Sequence, residues 1–414
     1  MGRGRDGLHI LIISQYFWPE NFRINDLAVG LVERGHRVTV LTGQPNYPTG
    51  RFFQGYGYFS PIHENYLGVN IVRVPLLPRG KGRGVALATN FLSFALSACF
   101  LGWLRCREKY DLIFVHEPSP ITVGIPARVF RRLKKIPLFF WVQDLWPESL
   151  SATGGVQSPL LLKLVGLLVR WIYRGTDRIL VSSRAFIPSV EGMGGARERI
   201  FYFPQTADSF YQPLRPDGSW PETRLLPRGF VVLFAGNLGA AQGIGAIIDA
   251  AELVRENSEI QWVILGDGRM RAWAEEEIRR RGLANVHLLG AFPAEAMPRF
   301  FALSDVLLMT LRRDPLFALT VPGKLQSYLA CGRPIVAALD GEGARIVEEA
   351  QAGVSCRAED PVGIAAAVKD LYRRSVDERR ALGAQGRYYF EAHFDREKLL
   401  NMLLAWMEED LANG

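Results

Sequence analysis

Apolar and polar positions alternate along this chain in two rhythms. Apolar runs of strand length occur at residues 8–14, 37–41, 69–74, 111–115, 136–142, 178–181 and 200–203, and then at 230–235, 262–265, 286–289, 306–309 and 335–339. Between most of these runs lie segments with the three- to four-residue period of helices. Strands that alternate with helices predict parallel sheets built from βαβ units, so we expect an α/β fold.

The two series of runs are separated by residues 204–227, a segment rich in Pro, Asp and Gly. A chain of 414 residues is too long for one ordinary hydrophobic core, so we predict two domains joined by this linker. Hydrophobic content of 48% fits a globular protein. The four cysteines show no metal-ligand spacing and lie in apolar or helical contexts, which predicts reduced thiols in a cytosolic protein.

Charge is distributed unevenly between the two halves of the chain. Residues 1–200 contain 25 Lys and Arg against 13 Asp and Glu, a net charge of +12, whereas residues 201–414 have a net charge of −5. A basic first half predicts an anionic partner or surface: lipid headgroups, phosphates or nucleic acid. The N-terminus has a short apolar run and no small-residue cleavage site, which predicts a first strand rather than a secretory signal.

Residues 85–104 form a stretch of 20 residues without a charge. That length would suffice to cross a bilayer. Polar residues such as Asn90 dilute the stretch, and basic residues, among them Lys81, Arg83 and Arg105, flank both ends without inside–outside asymmetry. We therefore predict a helix packed on the sheet, or one partly embedded in a membrane surface, rather than a transmembrane helix.

Residues 304–338 contain a strand, an irregular loop, a helix and a second strand. We expect the loop to cover residues 311–320 and to carry Arg312 and Arg313. Pro322 is predicted to lie in the first helical turn, where its missing N–H is not needed. Lys324 follows in the same turn, and a helix N-terminus with a nearby cation favours an anion. The alternative is an ordinary βα turn.

A glycine-containing loop follows the strand at residues 230–235 and reads GNLGAAQG from Gly236 to Gly243. Its glycines would let backbone N–H groups approach a diphosphate. A loop of this kind is a weak signal by itself. A GDG turn after residues 262–265 and a further glycine turn around Glu342 lie at corresponding strand ends.

Three loops of the first domain carry candidate polar groups. The first contains QYFWPENFRIND, in which Glu20, Asn21 and Arg23 are the candidates. Two later loops are predicted to open on Glu117 and on Gln143-Asp144. Loops at the carboxyl ends of parallel strands are where open α/β sheets bind ligands. For Glu148 we favour a helix-capping role.

The segment SYLACGRPIVA, the opening RGHRVTVLT and the loops WVQDLWPES and GNLGAAQG together resemble family 4 glycosyltransferases of the GT-B fold. The resemblance spans nearly the whole chain. Within the family, the chain is similar to a bacterial branch that builds O-antigen or colanic acid and has fucosamine-type transferases among its members. It implies two Rossmann-like domains facing across a cleft, at residues 1–204 and 205–394. The last helix, 395–414, would cross back to the first domain.

Several positions depart from the family pattern. The two glutamates of its donor segment are replaced at Leu319 and Ser327, and the usual Arg and Lys of the glycine loop are replaced at Asn237 and Gln242. Gln143 stands where the family often has a histidine. The resemblance implies catalytic roles for Asp144, Glu117 and Lys324, donor binding by Gly236, Asn237, Gly239, Gln242, Phe292, Arg312, Val321, Lys324, Ser327 and Glu342, and acceptor binding by Glu20, Asn21, Arg23 and Gln143.

The implied activity is transfer of a sugar, with retention at the anomeric carbon, from a nucleoside-diphosphate donor to a lipid-linked or glycan acceptor. The donor would be UDP-linked, a 6-deoxy amino sugar is among the candidate sugars, and no metal or other cofactor is expected. The enzyme would be cytoplasmic, peripheral on the inner face of the membrane, with no nucleic-acid partner. A nucleotide-sugar epimerase on the same fold and a non-catalytic basic binding protein are the alternatives.

Overall fold

The computed structural model describes residues 7–58, 61–80, 82, 84–152 and 158–413. Lys81 and Arg83, two of the cations noted beside residues 85–104, lie outside the described residues. The chain folds into two compact units. Residues 1–204 and 397–414 form the first, called here the N-terminal unit, and residues 205–396 form the C-terminal unit.

Each unit is built on one sheet. The N-terminal unit has an eight-stranded sheet of order β3-β4-β2-β1-β5-β6-β7-β8, and the C-terminal unit a six-stranded sheet of order β11-β10-β9-β12-β13-β14. All pairings are parallel except that of β3 with β4. The strands are β1 (His9–Ile13), β2 (Arg37–Gly43), β3 (His63–Tyr66), β4 (Val69–Val74), β5 (Leu112–Glu117), β6 (Leu138–Val142), β7 (Arg178–Val181), β8 (Ile200–Tyr202), β9 (Phe230–Ala235), β10 (Ile260–Leu265), β11 (Val286–Gly290), β12 (Val306–Thr310), β13 (Ile335–Ala338) and β14 (Gly353–Cys356).

Helices connect the strands. They are α1 (Arg23–Glu33), α2 (Gly84–Ser97), α3 (Trp103–Arg105), α4 (Gly124–Lys134), α5 (Glu148–Ala152), α6 (Pro159–Arg174), α7 (Ile187–Gly192), α8 (Ile244–Leu253), α9 (Arg271–Arg281), α10 (Met297–Ala302), α11 (Pro315–Leu319), α12 (Lys324–Ala330), α13 (Glu342–Glu349), α14 (Pro361–Arg373), α15 (Val376–His393) and α16 (Arg396–Asn413). A π-helical segment, Ala98–Gly102, joins α2 to α3.

The helices of the N-terminal unit cover both faces of its sheet. Right-handed crossovers place α2, α4 and α6 on one face, where α4 packs against both α2 and α6. Helices α1 and α16 lie on the other face, and Leu403 and Met407 of α16 are fully buried in a core with Ile10 and Val38. The final helix therefore belongs to the hydrophobic core of the N-terminal unit, although it is far from the rest of that unit in sequence.

Three local expectations are corrected by the structure. Strand β3 has the sequence HENY and escaped notice because a polar edge strand has no apolar run. Glu117 ends strand β5 and is not in an open loop. Residues 311–320 are not wholly irregular, because Asp314 accepts a hydrogen bond from Leu316 N at 2.9 Å and caps the short helix α11.

Candidate functional site

The C-terminal unit has a topological switch point between β9 and β12. Strands β10 and β11 extend the sheet on one side of this point, and β13 and β14 extend it on the other. Ligands of open α/β sheets bind beside such points, at the carboxyl ends of the strands. The segments after β9 and β12 are joined there by hydrogen bonds from Thr310 Oγ1 to Gln242 O at 2.5 Å and from Arg312 N to Ala241 O at 2.8 Å.

Glycines allow the turns at this edge to approach closely. A Cβ atom added to Gly266 would lie 1.8 Å from Gly236 O, and one added to Gly236 would lie 2.9 Å from Lys324 Nζ. Within the loop, the N–H groups of Gly236, Leu238 and Gln242 donate to protein carbonyls at 3.0, 2.8 and 3.1 Å. These three N–H groups are therefore engaged, and a bound phosphate would use the N–H groups between them.

Lys324 is the central side chain of this edge. Its Nζ donates to Gln242 Oε1 at 2.7 Å and lies 4.0 Å from the centroid of the Phe234 ring. Within the part of the chain that the structure describes, no carboxylate forms an ion pair with it. Burial lowers the pKa of Lys324 to about 7. A half-buried amine without a counter-charge is a binding group for an anion, which would restore its positive charge.

The rest of the predicted cation cluster is dispersed. Helix α12 begins at Lys324 itself, and Pro322 precedes the helix rather than lying in its first turn. Arg313 is directed elsewhere, because its N–H donates to Glu359 Oε2 at 3.0 Å and its guanidinium to Ala358 O at 3.2 Å. Arg312 is half-exposed, with its guanidinium 3.8 Å from Asp314. Lys324 is thus the cation that the structure brings to the glycine loop.

The remaining predicted donor residues fall into two groups. Asn237 is exposed beside Gly239, and Phe292 and Val321 are half-buried, Phe292 edge-on to Phe300 at 4.7 Å. Ser327 and Glu342 are buried, and both Glu342 oxygens accept from Arg345, at 2.8 and 2.9 Å. The structure therefore does not present Ser327 or Glu342 to a ligand in this conformation.

The N-terminal unit has its own switch point, between β1 and β5. Ser14 follows β1, and its hydroxyl lies 3.3 Å from Nδ1 of His116 in β5. Burial lowers the pKa of His116 to about 3, so the imidazole is neutral at physiological pH. No role is predicted for His116 from the sequence, although its place in the crevice follows from the strand order.

Two carboxyl groups meet at the ends of β5 and β6. Glu117 is fully buried. Burial raises the pKa of Glu117 well above its usual value, and the charge of Asp144 raises it further, against smaller opposing effects of the nearby backbone N–H groups of Asp144 and Gln143. Asp144 is half-exposed, and burial raises its pKa to about 7. The pair therefore combines a fully buried carboxyl group of raised pKa with an accessible carboxyl group whose pKa lies near neutrality.

Glu20 has a structural position rather than an open one. It is buried, and its Oε1 accepts from the N–H groups of Asn46 and Tyr47 at 2.8 and 2.7 Å. Burial raises the pKa of Glu20 to about 7. Its carboxyl group thus holds the loop that follows β2. Its neighbours Asn21, exposed, and Arg23, half-buried at the start of α1, lie at the same sheet edge as half-buried Gln143.

A cluster that sequence reasoning missed surrounds Tyr47. The Arg79 guanidinium lies 4.8 Å from the centroid of the Tyr47 ring and 3.4 Å from the Tyr16 hydroxyl. Phe22 stacks on Tyr16 at 5.0 Å. Arg79 N donates to Asn46 Oδ1 at 3.0 Å. The available signal was the aromatic content of residues 43–58, but which basic residue would meet these rings depends on how the loop folds.

No metal site is found in the described ranges, because no three His, Cys, Asp or Glu side chains are arranged to hold an ion there. The described residues 84–105 contain one helix that is long and apolar enough to cross a membrane by those two criteria, and 22% of its apolar window is buried in the protein. All four cysteines are free thiols.

Two family models match the chain. Residues 21–206 match the glycosyl transferase 4-like domain, and residues 229–374 match the domain of glycosyl transferases group 1. WcaI of Escherichia coli, described as a putative colanic acid biosynthesis glycosyl transferase, is 24% identical, with 78% of this chain and 82% of WcaI covered. WbjE of Pseudomonas aeruginosa, described as a probable glycosyltransferase, is 27% identical, with 72% of each chain covered.

Solved structures share the fold. The crystal structure of HepE from Anabaena, in complex with UDP and glucose, has a TM-score of 0.71 at 17% identity, with 97% of this chain and 100% of HepE covered. Sucrose-phosphate synthase from Thermosynechococcus elongatus has a TM-score of 0.73 at 16% identity, with 99% and 100% covered. The expected two-domain GT-B architecture is thereby confirmed.

Proposed function

The chain belongs to the family 4 glycosyltransferases, and we propose that it transfers a sugar, with retention, from a nucleoside-diphosphate donor to a hydroxyl of a lipid-linked glycan. The observation that carries this proposal is Lys324, a half-buried amine without a counter-charge among the described residues, beside the glycine loop at the β9/β12 switch point. Such a group matches a diphosphate in charge and position.

In this reaction the bond between the anomeric carbon and the phosphate oxygen breaks, and negative charge develops on the leaving diphosphate. Lys324 would stabilise that charge, with Gln242 holding the amine 2.7 Å away. Backbone N–H groups of the glycine loop would complete the anion site. The fold match to HepE, whose structure contains UDP, supports UDP as the nucleotide.

The acceptor hydroxyl loses a proton when its oxygen bonds to the anomeric carbon. Asp144 would take this proton, because it is accessible and its pKa is raised to about 7 by burial. Glu117 would lie beside it, fully buried and with its pKa raised well above the usual value. Glu117 is therefore proposed as a positioning residue rather than as a group that touches substrate.

The acceptor class is inferred from the relatives and from charge. WcaI is described as a putative colanic acid biosynthesis glycosyl transferase, which supports a role in cell-surface polysaccharide synthesis. The net charge of +12 over residues 1–200 supports an acceptor linked to a membrane lipid through phosphate. The enzyme would then be a peripheral protein on the cytoplasmic membrane surface.

The test is a panel of nucleotide sugars screened by thermal shift against the full-length protein. A ligand that binds only the native state raises the melting temperature, so the true donor should give a shift that a Lys324→Ala variant loses. The donor found would then be incubated with a polyprenyl-diphosphate-linked acceptor. Formation of an isomer of the donor without acceptor would overturn the proposal in favour of an epimerase.

A further inference from the structure

The helical segment Gly84–Arg105 presents an apolar stripe to solvent. Leu92, Leu96, Phe100 and Leu104 are 51–70% exposed, although each is a large hydrophobic side chain. On the opposite side Asn90, Phe94, Ala98 and Gly102 are buried against the sheet and its neighbours. Large apolar side chains aligned on the outside of a packed helix indicate a surface that has a partner.

The π-helical segment keeps this stripe straight. Both stripes repeat every four residues, and in an α-helix four residues overshoot one turn by about 40°. Over successive steps the exposed positions would rotate toward the buried side. The π-helical segment Ala98–Gly102 has more residues per turn and rotates back, so Phe100 and Leu104 stay in line with Leu92. The segment therefore maintains an exposed apolar stripe along the helix.

Helix α6 carries a second exposed apolar stripe. Leu160, Leu164, Leu167 and Trp171 are 45–67% exposed and follow the regular helical period. Helices α2 and α6 lie on the same face of the sheet, on either side of α4. The two stripes thus flank α4 on one face, which we call the α2–α6 face.

Exposed cations lie on α4 and α6, at the end of α4 and just after α3, where Glu108 is also exposed. Arg107, Lys109, Arg132, Lys135, Lys163, Arg170 and Arg174 are exposed, and none of them forms an ion pair with a carboxylate of the described residues. Apolar side chains bordered by unpaired cations fit the boundary between acyl chains and anionic headgroups. A soluble protein partner would need a matching acidic rim around an apolar groove.

The inner side of the same helix opposes a transmembrane arrangement. Asn90 Nδ2 donates to Leu77 O at 2.6 Å, and Gln15 Nε2 donates to Asn90 Oδ1 at 2.8 Å. Gly102 packs so closely on β2 that an added Cβ would lie 2.8 Å from Leu41 Cδ2. Leaving the domain to cross a bilayer would break these contacts and place the Asn90 amide in hydrocarbon.

We infer that the α2–α6 face docks on an anionic phospholipid surface, with Leu92, Leu96, Phe100 and the α6 stripe inserted among the acyl chains and no helix crossing. The inference rests on the proposed function for the location of the acceptor, and it defines how the enzyme would reach a lipid-linked substrate. Salt should weaken binding through the cations but leave the apolar contribution.

The test is flotation of the full-length protein with vesicles of phosphatidylcholine alone or with about 30% phosphatidylglycerol, at low and high salt. We expect binding to the anionic vesicles, and at least about tenfold weaker partitioning for the double variant Leu96→Glu/Phe100→Glu. Leu164→Glu, on α6, should also weaken binding to the anionic vesicles. The matched control is Leu253→Glu on α8, whose side chain is 51% exposed in the C-terminal unit and which should bind like the wild type.

Circular dichroism and the melting temperature, compared with those of the wild type, verify that each variant is folded. Wild-type protein absent from both kinds of vesicle would overturn the inference, as would resistance to alkaline carbonate extraction, which indicates a transmembrane helix. A dimer in light scattering that Phe100→Glu dissociates, without vesicle binding, would assign the face to a second copy. Vesicle binding without sugar transfer would support this inference and contradict the proposed function. Sugar transfer without vesicle binding would support the proposed function and contradict this inference.

Discussion

The carboxyl ends of the strands in the two sheets present different chemical groups. At the β9/β12 switch point the backbone dominates: glycine turns approach within contact distance, and a single amine, Lys324, projects into them. At the β1/β5 switch point side chains dominate: His116 lies edge-on to Phe22 of the first loop, and Glu117 and Asp144 lie at the ends of β5 and β6. Under the proposed function, the first edge would hold the diphosphate of the donor and the second would hold the acceptor.

The titratable side chains at the two sheet edges also differ in the sign of their charge. Burial lowers the pKa of Lys324 to about 7, whereas burial raises the pKa of Glu20 and of Asp144 to about 7. A cation without a counter-charge favours an anionic ligand, and a carboxyl group near neutrality favours proton exchange with a neutral one. Under the proposed function, the C-terminal unit would stabilise the leaving group and the N-terminal unit would accept the proton.

Lys324→Ala should have the largest effect. Removing the amine would leave the leaving diphosphate with backbone donors alone, so turnover at saturating donor should fall by about two to three orders of magnitude. Lys324→Arg should keep part of the activity, because the charge is retained in a different shape. Wild-type-like turnover of the alanine variant would show that the two edges do not divide the chemistry as described.

Asp144→Asn should lower turnover by about a hundredfold, the size of a general-base contribution, with donor affinity little changed. At saturating donor, where the bound diphosphate keeps Lys324 charged, the wild-type rate should rise with pH through about 7, because Asp144 must lose its proton to act. The asparagine variant should lack this rise. Glu148→Gln, in the following helix, is the control and should keep both the rate and the pH profile. Equal loss of donor affinity would indicate a structural role instead.

The fold was largely predictable, because apolar runs and helical periods report burial directly. The exceptions have physical reasons. The polar edge strand β3 buries little, so its sequence carries no apolar run. The segment Gly84–Arg105 has an apolar composition that fits a core helix, an interfacial helix or a span, and only the three-dimensional structure shows Leu96 and Phe100 facing outward.

The candidate site was predictable where the backbone makes it. The glycine loop and Lys324 follow from strand ends and turn residues, and the structure places them together. Side-chain partners were less predictable, because they depend on contacts between distant segments. Glu342 is engaged by Arg345, and Glu20 holds the N–H groups of Asn46 and Tyr47. The pairing of Arg79 with Tyr47 joins two loops that are well separated in sequence.

Arg79→Ala should have a moderate effect confined to the acceptor. Its guanidinium, beside Tyr47 and close to the start of α2, is a candidate contact for the phosphate of a lipid-linked acceptor. We expect the KM for a diphosphate-linked acceptor to rise about tenfold, with the donor KM unchanged. Arg51→Ala, an exposed arginine of the same loop region, is the matched control. A rise in the donor KM would contradict a role for Arg79 in acceptor binding.

Glu20→Gln should have the smallest effect on activity and alter the pH dependence of stability instead. Because burial raises the pKa of Glu20 to about 7 from its usual 4.5, the native state retains a proton that the unfolded state loses between these values. Stability contributed by this group is therefore present at acid pH and falls as pH rises through about 7, on the order of 1.4 kcal/mol for each pKa unit. Lys324 acts in the opposite sense, since its native state holds fewer protons than the unfolded state between about pH 7 and 10.5.

The glutamine amide oxygen can still accept from Asn46 N and Tyr47 N, so the loop should remain in place. Melting temperatures of the two proteins would be compared at pH 5.5 and pH 8. At pH 8 the melting temperature of Glu20→Gln should increase relative to that of the wild type. The surface variant Glu256→Gln should show no such increase. A variant that loses stability equally at both values would mean that Glu20 is ionised in the native state. The opposite pH responses of the two sheet edges would then not hold for this carboxyl group.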